Sequence, residues 1–319
     1  MDAATRRRAG AVLLLLCAIA LPWALQQLGI DYYLSLASRV LVYAIAASSL
    51  NLVLGYGGMV SFGHAAFVGL GAYVTGIMIS EGIAGAGWHL LATLAVTGLA
   101  AWIVGAISLR TRGVYFIMIT LAFAQMIFYL ANSNKAWGGD EGLNIRTRSI
   151  IGIEGFALDL KDGPTLYYVA LAVLVALLVA LARFVPSRFG RAVVALRDDD
   201  IRAEALGFPT YRYKLIVFVV AGAIGGLAGA LYVNLTGYVS PNLLHWTQSG
   251  SLMVMVILGG VASIWGGLAG AAALLLLQEL LSAHTQHWEF WTGWVLLAVV
   301  LFARRGLAGL LARGAGGKD

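Results

Sequence analysis

Residues 40–80 read VLVYAIAASSLNLVLGYGGMVSFGHAAFVGLGAYVTGIMIS, with no charged side chain between Arg39 and Glu81. A helix crosses a bilayer in about 20 apolar residues, so this run holds two crossings, joined where Gly55-Tyr56-Gly57-Gly58 interrupts it. A second uncharged run, 215–278, lies between Lys214 and Glu279. The remainder of the 319 residues follows suit: 61% are hydrophobic and 11% charged, against about 25% charged in an ordinary soluble domain. Such a chain is neither a cytosolic enzyme nor a disordered segment. A disulfide-stapled secreted module is excluded too, because its one cysteine, Cys17, can form no intrachain disulfide. The expected fold is an all-α polytopic membrane protein, a single transmembrane domain over 1–319.

Ten membrane segments are predicted, at about 10–30, 38–55, 63–80, 89–109, 113–133, 164–185, 214–236, 250–265, 267–283 and 289–304. The Arg-rich start, Arg6-Arg7-Arg8, is read as the flank of an uncleaved first helix, since no small-residue cleavage site follows Pro22-Trp23-Ala24. With ten crossings, Arg6 to Arg8, Arg110, Arg112, the 183–214 connector and the tail (Arg304, Arg305, Arg313, Lys318) share one side. That side gathers 16 of the 21 Lys and Arg residues, so it is the cytoplasmic one and both termini lie there. Orientation alone accounts for the net charge of +6, and no nucleic-acid partner is expected. Outside the membrane remain an extracytoplasmic loop at about 134–163, a cytoplasmic loop at 186–213 and a cytoplasmic tail at 305–319.

Absent motifs separate functional classes. There is no G-x-x-x-x-G-K-[ST], so the chain cannot bind and hydrolyse ATP through a P-loop, and no H-E-x-x-H, C-x-x-C or G-x-S-x-G. His284, His287 and Glu289 lack a fourth ligand and are not read as a metal site. Neither a cofactor nor covalent chemistry is expected. Ionisable residues are almost missing from the predicted spans, which disfavours proton- or sodium-coupled carriage. Glycine, 40 residues in all, supplies close-packing pairs at Gly222/Gly226, Gly225/Gly229 and Gly266/Gly270. Gly57-Gly58-Met59-Val60-Ser61-Phe62 and Gly259-Gly260-Val261-Ala262-Ser263-Ile264 share Gly-Gly-x-x-Ser before a large apolar residue. Glycine-broken segments in corresponding positions point to a transport pathway, giving Asn51, Gly57, Gly58, Ser61, His64, Gly259 and Gly260 as candidate pathway residues.

The cytoplasmic loop carries the sharpest local signal. Asp198, Asp199 or Asp200 can cap a short helix through Ile201-Arg202-Ala203-Glu204-Ala205-Leu206, Gly207 supplies the left-handed turn, and Pro209 blocks continuation. Ile201, Ala205 and Leu206 make an apolar stripe on this helix of about two turns, with Arg202 pointing elsewhere. The stripe needs a partner protein or, given the basic flanks Arg188, Arg191, Arg212 and Lys214, membrane lipid headgroups.

Several stretches together resemble one family. Asn51-Leu52 and Gly55 through Phe67, then Gly71-Ala72-Tyr73, are similar to the early signature of the LivM-type permeases of branched-chain amino-acid ABC importers. Arg112 to Phe116, Gly138 to Leu143, Glu204 to Gly207, Gly259-Gly260 and Gly266-Gly267 continue the likeness in order across about 40–280. The resemblance implies a transport subunit that performs no catalysis. It implies pairing with a LivH-like permease, two cytoplasmic ATPase subunits that bind the ATP, and a periplasmic or extracellular substrate-binding protein. ATPase coupling would then fall on Asp199, Ile201, Arg202, Glu204, Ala205, Leu206 and Gly207, and binding-protein contact on Gly139, Asp140 and Glu141. A urea or short-amide permease of the same family is the alternative substrate reading. An ATP-independent channel or facilitator is the alternative mechanism, and it would have no need of the capped helix.

Overall fold

A computed structural model describes residues 3–27, 29, 31–83, 85–153, 156–302 and 306–307. Most of the expected tail, with Arg304, Arg305, Arg313 and Lys318, lies outside the described residues, and so do the side chains of Arg6 to Arg8. Twelve α-helices are described: α1 Ala3–Gln27, α2 Asp31–Asn51, α3 His64–Ser80, α4 Ala86–Ser108, α5 Val114–Ser133, α6 Gly163–Phe184, α7 Arg188–Asp198, α8 Asp200–Ala205, α9 Thr210–Thr236, α10 Trp246–Gly259, α11 Gly266–Ser282 and α12 Trp288–Phe302. A π-helical turn, Leu52–Tyr56, extends α2. Five helical stretches are long and apolar enough to cross a membrane: Tyr32–Tyr56, Ala86–Ser108, Val114–Ser133, Gly163–Phe184 and Thr210–Thr236. Leu15–Gln27, His64–Ser80, Trp246–Gly259 and Gly266–Ser282 are apolar but shorter.

The core is organised around α9, which packs on α3, α4 and α2, while α2 packs in turn on α11 and α6. Small residues set the approach. A Cβ on Gly229 would lie 1.8 Å from the Val68 carbonyl oxygen, one on Gly71 2.0 Å from that of Gly226, and one on Gly222 2.5 Å from the Ala101 Cβ. The expected close-packing pairs on α9 are therefore its seams with α3 and α4. On α11, Gly270 meets the backbone of α10 at Met255. Dispersion between backbones at this range holds helices together where lipid removes the hydrophobic drive.

Two expectations need correction. The segment placed at 250–265 is helical only to Gly259, because the chain turns at Gly260, whose φ is +114°. The all-α expectation omits two small antiparallel pairs: β1 Leu143–Asn144 with β4 Tyr238–Val239, and β2 Ile150–Ile153 with β3 Phe156–Asp159. The short helix of the 186–213 loop, α8, runs Asp200–Ala205, six residues, and a separate helix, α7, which the sequence reading did not foresee, precedes it.

Candidate functional site

The connector between α6 and α9 folds as two helices meeting at a sharp corner. Ser187 caps α7 by accepting from Gly190 N, and the extended backbone of Asp199 ends it. Ala192, Val193 and Leu196 turn inward, and the Phe189 ring stacks on Tyr213 of α9 at 4.7 Å. The same Asp199 caps α8: its carboxylate accepts from Arg202 N at 3.0 Å, satisfying a free amide of the first turn. At the other end Gly207 adopts φ +86°. Gly207 N donates to Glu204 O and Phe208 N to Ala203 O, at 2.9 and 3.1 Å, the paired bonds of a Schellman stop.

Ala203 faces the protein, and everything opposite it faces outward. Ile201 is 74% exposed and Leu206 72%, with Arg202, Glu204, Ala205 and Gly207 also exposed. Two apolar side chains are thus held out by a helix capped at both ends. Asp200 pairs with Lys214 at the base of α9. Glu204 pairs with Arg112 at 3.2 Å, both side chains about 60% exposed. The α4–α5 turn is thereby tied to α8, and a polar cavity of about 400 Å³ opens between them, lined among others by Gly57, Gly58, Val60, Arg110, Arg197 and Glu204.

The two glycine-broken stretches, more than 200 positions apart, touch. Asn51 Nδ2 donates to Ser263 O at 2.8 Å, and Ala262 N donates to Asn51 Oδ1 at 3.0 Å. Gly55 lies beneath this clamp, where a Cβ would come within 2.1 Å of Asn51 Oδ1 and 2.6 Å of Ala262 N. Gly57 N bonds back to Leu52 O and Met59 N to Val53 O, so the helix widens and then ends. π-Type widening of this kind is often found at functional sites. Gly58 follows with φ +66°. Gly259 packs within 1.8 Å, by its missing Cβ, of Gly266 O, which folds α10 back on α11.

Ser61 and His64 are completely buried. Ser61 Oγ accepts from Gly63 N. Ser49 donates to Ala46 O at 2.7 Å, so the 2.8 Å contact between Ser49 Oγ and His64 Nε2 has the imidazole as donor. Of the candidate pathway residues, Asn51 bridges the two breaks, Gly57 and Gly58 line the polar cavity, and Gly259 packs on α11 next to Gly260. Ser61 and His64 sit at the start of α3, and His64 faces α9 at Gly225.

On the opposite side, Gly139 is buried while Asp140 and Glu141 are exposed on one short helical turn, Gly139–Glu141. Tyr238 donates its hydroxyl to Glu141 O. Arg148 ties the loop to the end of α9, donating to Asn234 O at 2.8 Å and Ile145 O at 2.6 Å. Burial lowers its guanidinium pKa from the ordinary value, with Asp159 opposing the shift. Asn234 Oδ1 accepts from Ser149 N and His89 Nδ1 meets Ser149 Oγ, completing the anchor.

Sequence reasoning missed α7, Arg197 and Ala262. Ser187 followed by inward positions at 189, 192, 193 and 196 was a readable helix signal. The contact Arg197 makes, donating from Nη1 to Gly55 O at 2.9 Å, spans 142 positions and had none. Ala262, with φ +60°, is the one non-glycine residue of positive φ among the described residues, and no local motif marks it.

Residues 32–304 match the family described as branched-chain amino acid transport system / permease component. The chain is 28% identical to the high-affinity branched-chain amino acid transport system permease protein LivM of Salmonella typhimurium, over 92% of this chain and 73% of that protein. It is likewise 28% identical to LivM of Escherichia coli over 93% and 73%. To LivH of Escherichia coli it is 24% identical over 84% of this chain and 91% of the relative. The likeness read from the motifs is borne out by a match over residues 32–304: the chain belongs to the branched-chain amino acid transport system / permease component family.

Proposed function

We propose that the protein is the membrane permease subunit of an ABC importer for branched-chain amino acids, driven by ATP that separate subunits hydrolyse. One observation carries the mechanism: α8 is capped at both ends and holds Ile201 and Leu206 away from the protein. An exposed apolar face on a rigid helix is a docking surface, and a groove on a cytoplasmic ATPase is its partner in this reading. Closure of two ATPase subunits pushes on α8, and the glycine-packed helices rock between outward and inward access. A LivH-like permease completes the membrane part. The loop at 134–163, through Gly139, Asp140 and Glu141, receives the external binding protein.

In the same reading the chain crosses the inner membrane ten times, with α1 to α6 and α9 to α12 as the crossings and both termini in the cytoplasm. Asn51, Gly57, Gly58, Gly259 and Gly260, together with Ser61 and His64, border the path. The names of the relatives favour branched-chain amino acids over urea or short amides. The test is uptake of labelled leucine by proteoliposomes holding the whole complex, with Gly207→Pro as the variant. Proline fixes φ near −65°, so it can neither adopt the +86° of Gly207 nor donate to Glu204 O. ATP-dependent uptake in the parent and its loss in the variant are expected. Equal uptake with and without ATP would establish a facilitator instead.

A further inference from the structure

We propose that Arg197, at the end of α7, is the positioning residue that carries movement of the cytoplasmic helix pair into the broken end of α2; this rests on the docking role given to α8 above. Its guanidinium is held from two sides. Nη1 donates to Gly55 O at 2.9 Å, while Nε and Nη2 donate to Asp198 Oδ1 at 3.1 and 2.9 Å. Asp198 is the last residue of α7, and its neighbour Asp199 caps α8. The carbonyl that Arg197 grips belongs to the π-helical turn where α2 comes apart.

The stem of Arg197 is fitted as closely as its head. It lies over Gly58, where a Cβ would come 2.6 Å from Arg197 Cγ, and φ there is +66°. The break therefore has a glycine where the arginine crosses it. From Gly55 the contact continues inward: Gly55 abuts Asn51 Oδ1 and Ala262 N, the two atoms of the clamp between the breaks. One side chain thus joins the α7–α8 corner to the first glycine-broken stretch, which the Asn51 clamp ties to the second. No other hydrogen bond among the described residues joins α7 or α8 to this turn. Arginine suits the role because its planar fork can bond a carbonyl and a carboxylate at once, which a lysine ammonium on a flexible stem cannot hold as rigidly.

The test measures leucine uptake and ATP hydrolysis in the same proteoliposomes, with parent complex, Arg197→Met and Arg197→Lys. Methionine keeps the stem over Gly58 and removes every donor. The expected result is that Arg197→Met keeps ATPase activity stimulated by loaded binding protein while leucine moved per ATP falls roughly tenfold, a typical size for coupling between sites. Arg197→Lys, retaining a donor for Gly55 O, falls between the two. A second readout uses Val60→Cys, which lines the cytoplasmic cavity beside Gly58, in a Cys17→Ser background. Its labelling by an impermeant maleimide should change on nucleotide trapping in the parent and not with Arg197→Met. Unchanged leucine per ATP in Arg197→Met overturns the proposal, as does a labelling change in Arg197→Met equal to that of the parent. If Arg197→Met fails to assemble, Gly58→Ala displaces the stem, and normal coupling in that variant overturns it equally. A parent complex without ATP-driven uptake would refute the importer reading, and this inference with it; uptake in the parent confines any failure to Arg197.

Discussion

Asn51 holds Ala262 in a left-handed backbone conformation: its Oδ1 accepts from Ala262 N and its Nδ2 donates to Ser263 O. A residue with a Cβ at φ +60° is strained by roughly 1–2 kcal/mol, and the two bonds offset that strain. Asn51 is buried, so nothing in solvent replaces them.

Asn51→Ala leaves an amide and a carbonyl without their partner. Thermal unfolding in detergent, followed by tryptophan fluorescence, should show a loss of about 2–4 kcal/mol. Adding Ala262→Gly should recover about 1 kcal/mol by removing the strain. An Asn51→Ala protein that melts with the parent would mean that the clamp contributes nothing.

Glycines at helix seams and glycines on open faces should respond in opposite directions. Gly229→Ala places a methyl 1.8 Å from Val68 O, and overpacking of this kind costs about 1–3 kcal/mol. Gly98→Ala, with nothing within 4 Å of the new atom, should stabilise α4 by about 0.5–1 kcal/mol. Melting temperatures of the two variants check the pair; a fall in both would contradict the packing account.

The caps of α8 give a third expectation. Asp199→Ala removes the acceptor for Arg202 N at a cost of about 1 kcal/mol, and Asp199→Ser should restore most of it. Because α8 is peripheral, global stability should barely move while ATP-coupled leucine uptake falls in the alanine variant and recovers in the serine one. Glu204→Gln, which breaks an exposed pair with Arg112, should alter stability by less than about 1 kcal/mol. Parallel loss of melting temperature and uptake across the series would point to a folding defect instead.

At the end of the helices away from α8, Arg148 is the tie of the loop at 134–163. Arg148→Ala frees the carbonyls of Ile145 and Asn234, and hydrogen exchange of the amides of Ile145 and Ser149 should speed up while α9 stays protected. Unaltered exchange there would show that β1–β4 pairing alone holds the loop.

What could be read in the chain beforehand follows the range of the interactions. Asp199, Gly207 and Pro209 act on their immediate neighbours, so the caps of α8 and its length were legible, while the separate α7 before it was not. The stripes Gly222/Gly226 and Gly225/Gly229 were legible as packing surfaces because small residues at helical spacing have few other uses in a membrane. The basic residues around α7 read as a flank facing lipid headgroups, which hid its inward stripe of Ala192, Val193 and Leu196. The clamp from Asn51 to Ala262 joins positions 211 apart, and the pairing of β1 with β4 brings Leu143 to Val239; each is decided by tertiary packing. Resemblance of the two Gly-Gly-x-x-Ser stretches hinted at a shared role, and only the folded chain reveals their contact.

The central claim is that α8 seats on an ATPase subunit, and a crosslink from its exposed apolar face tests this most directly. Leu206→Cys in a Cys17→Ser background, labelled with a benzophenone maleimide and illuminated in the purified complex, should yield an adduct with the ATPase subunit. Adducts with lipid alone, from a complex that retains its ATPase subunits, would contradict the account and leave α8 lying on the membrane surface.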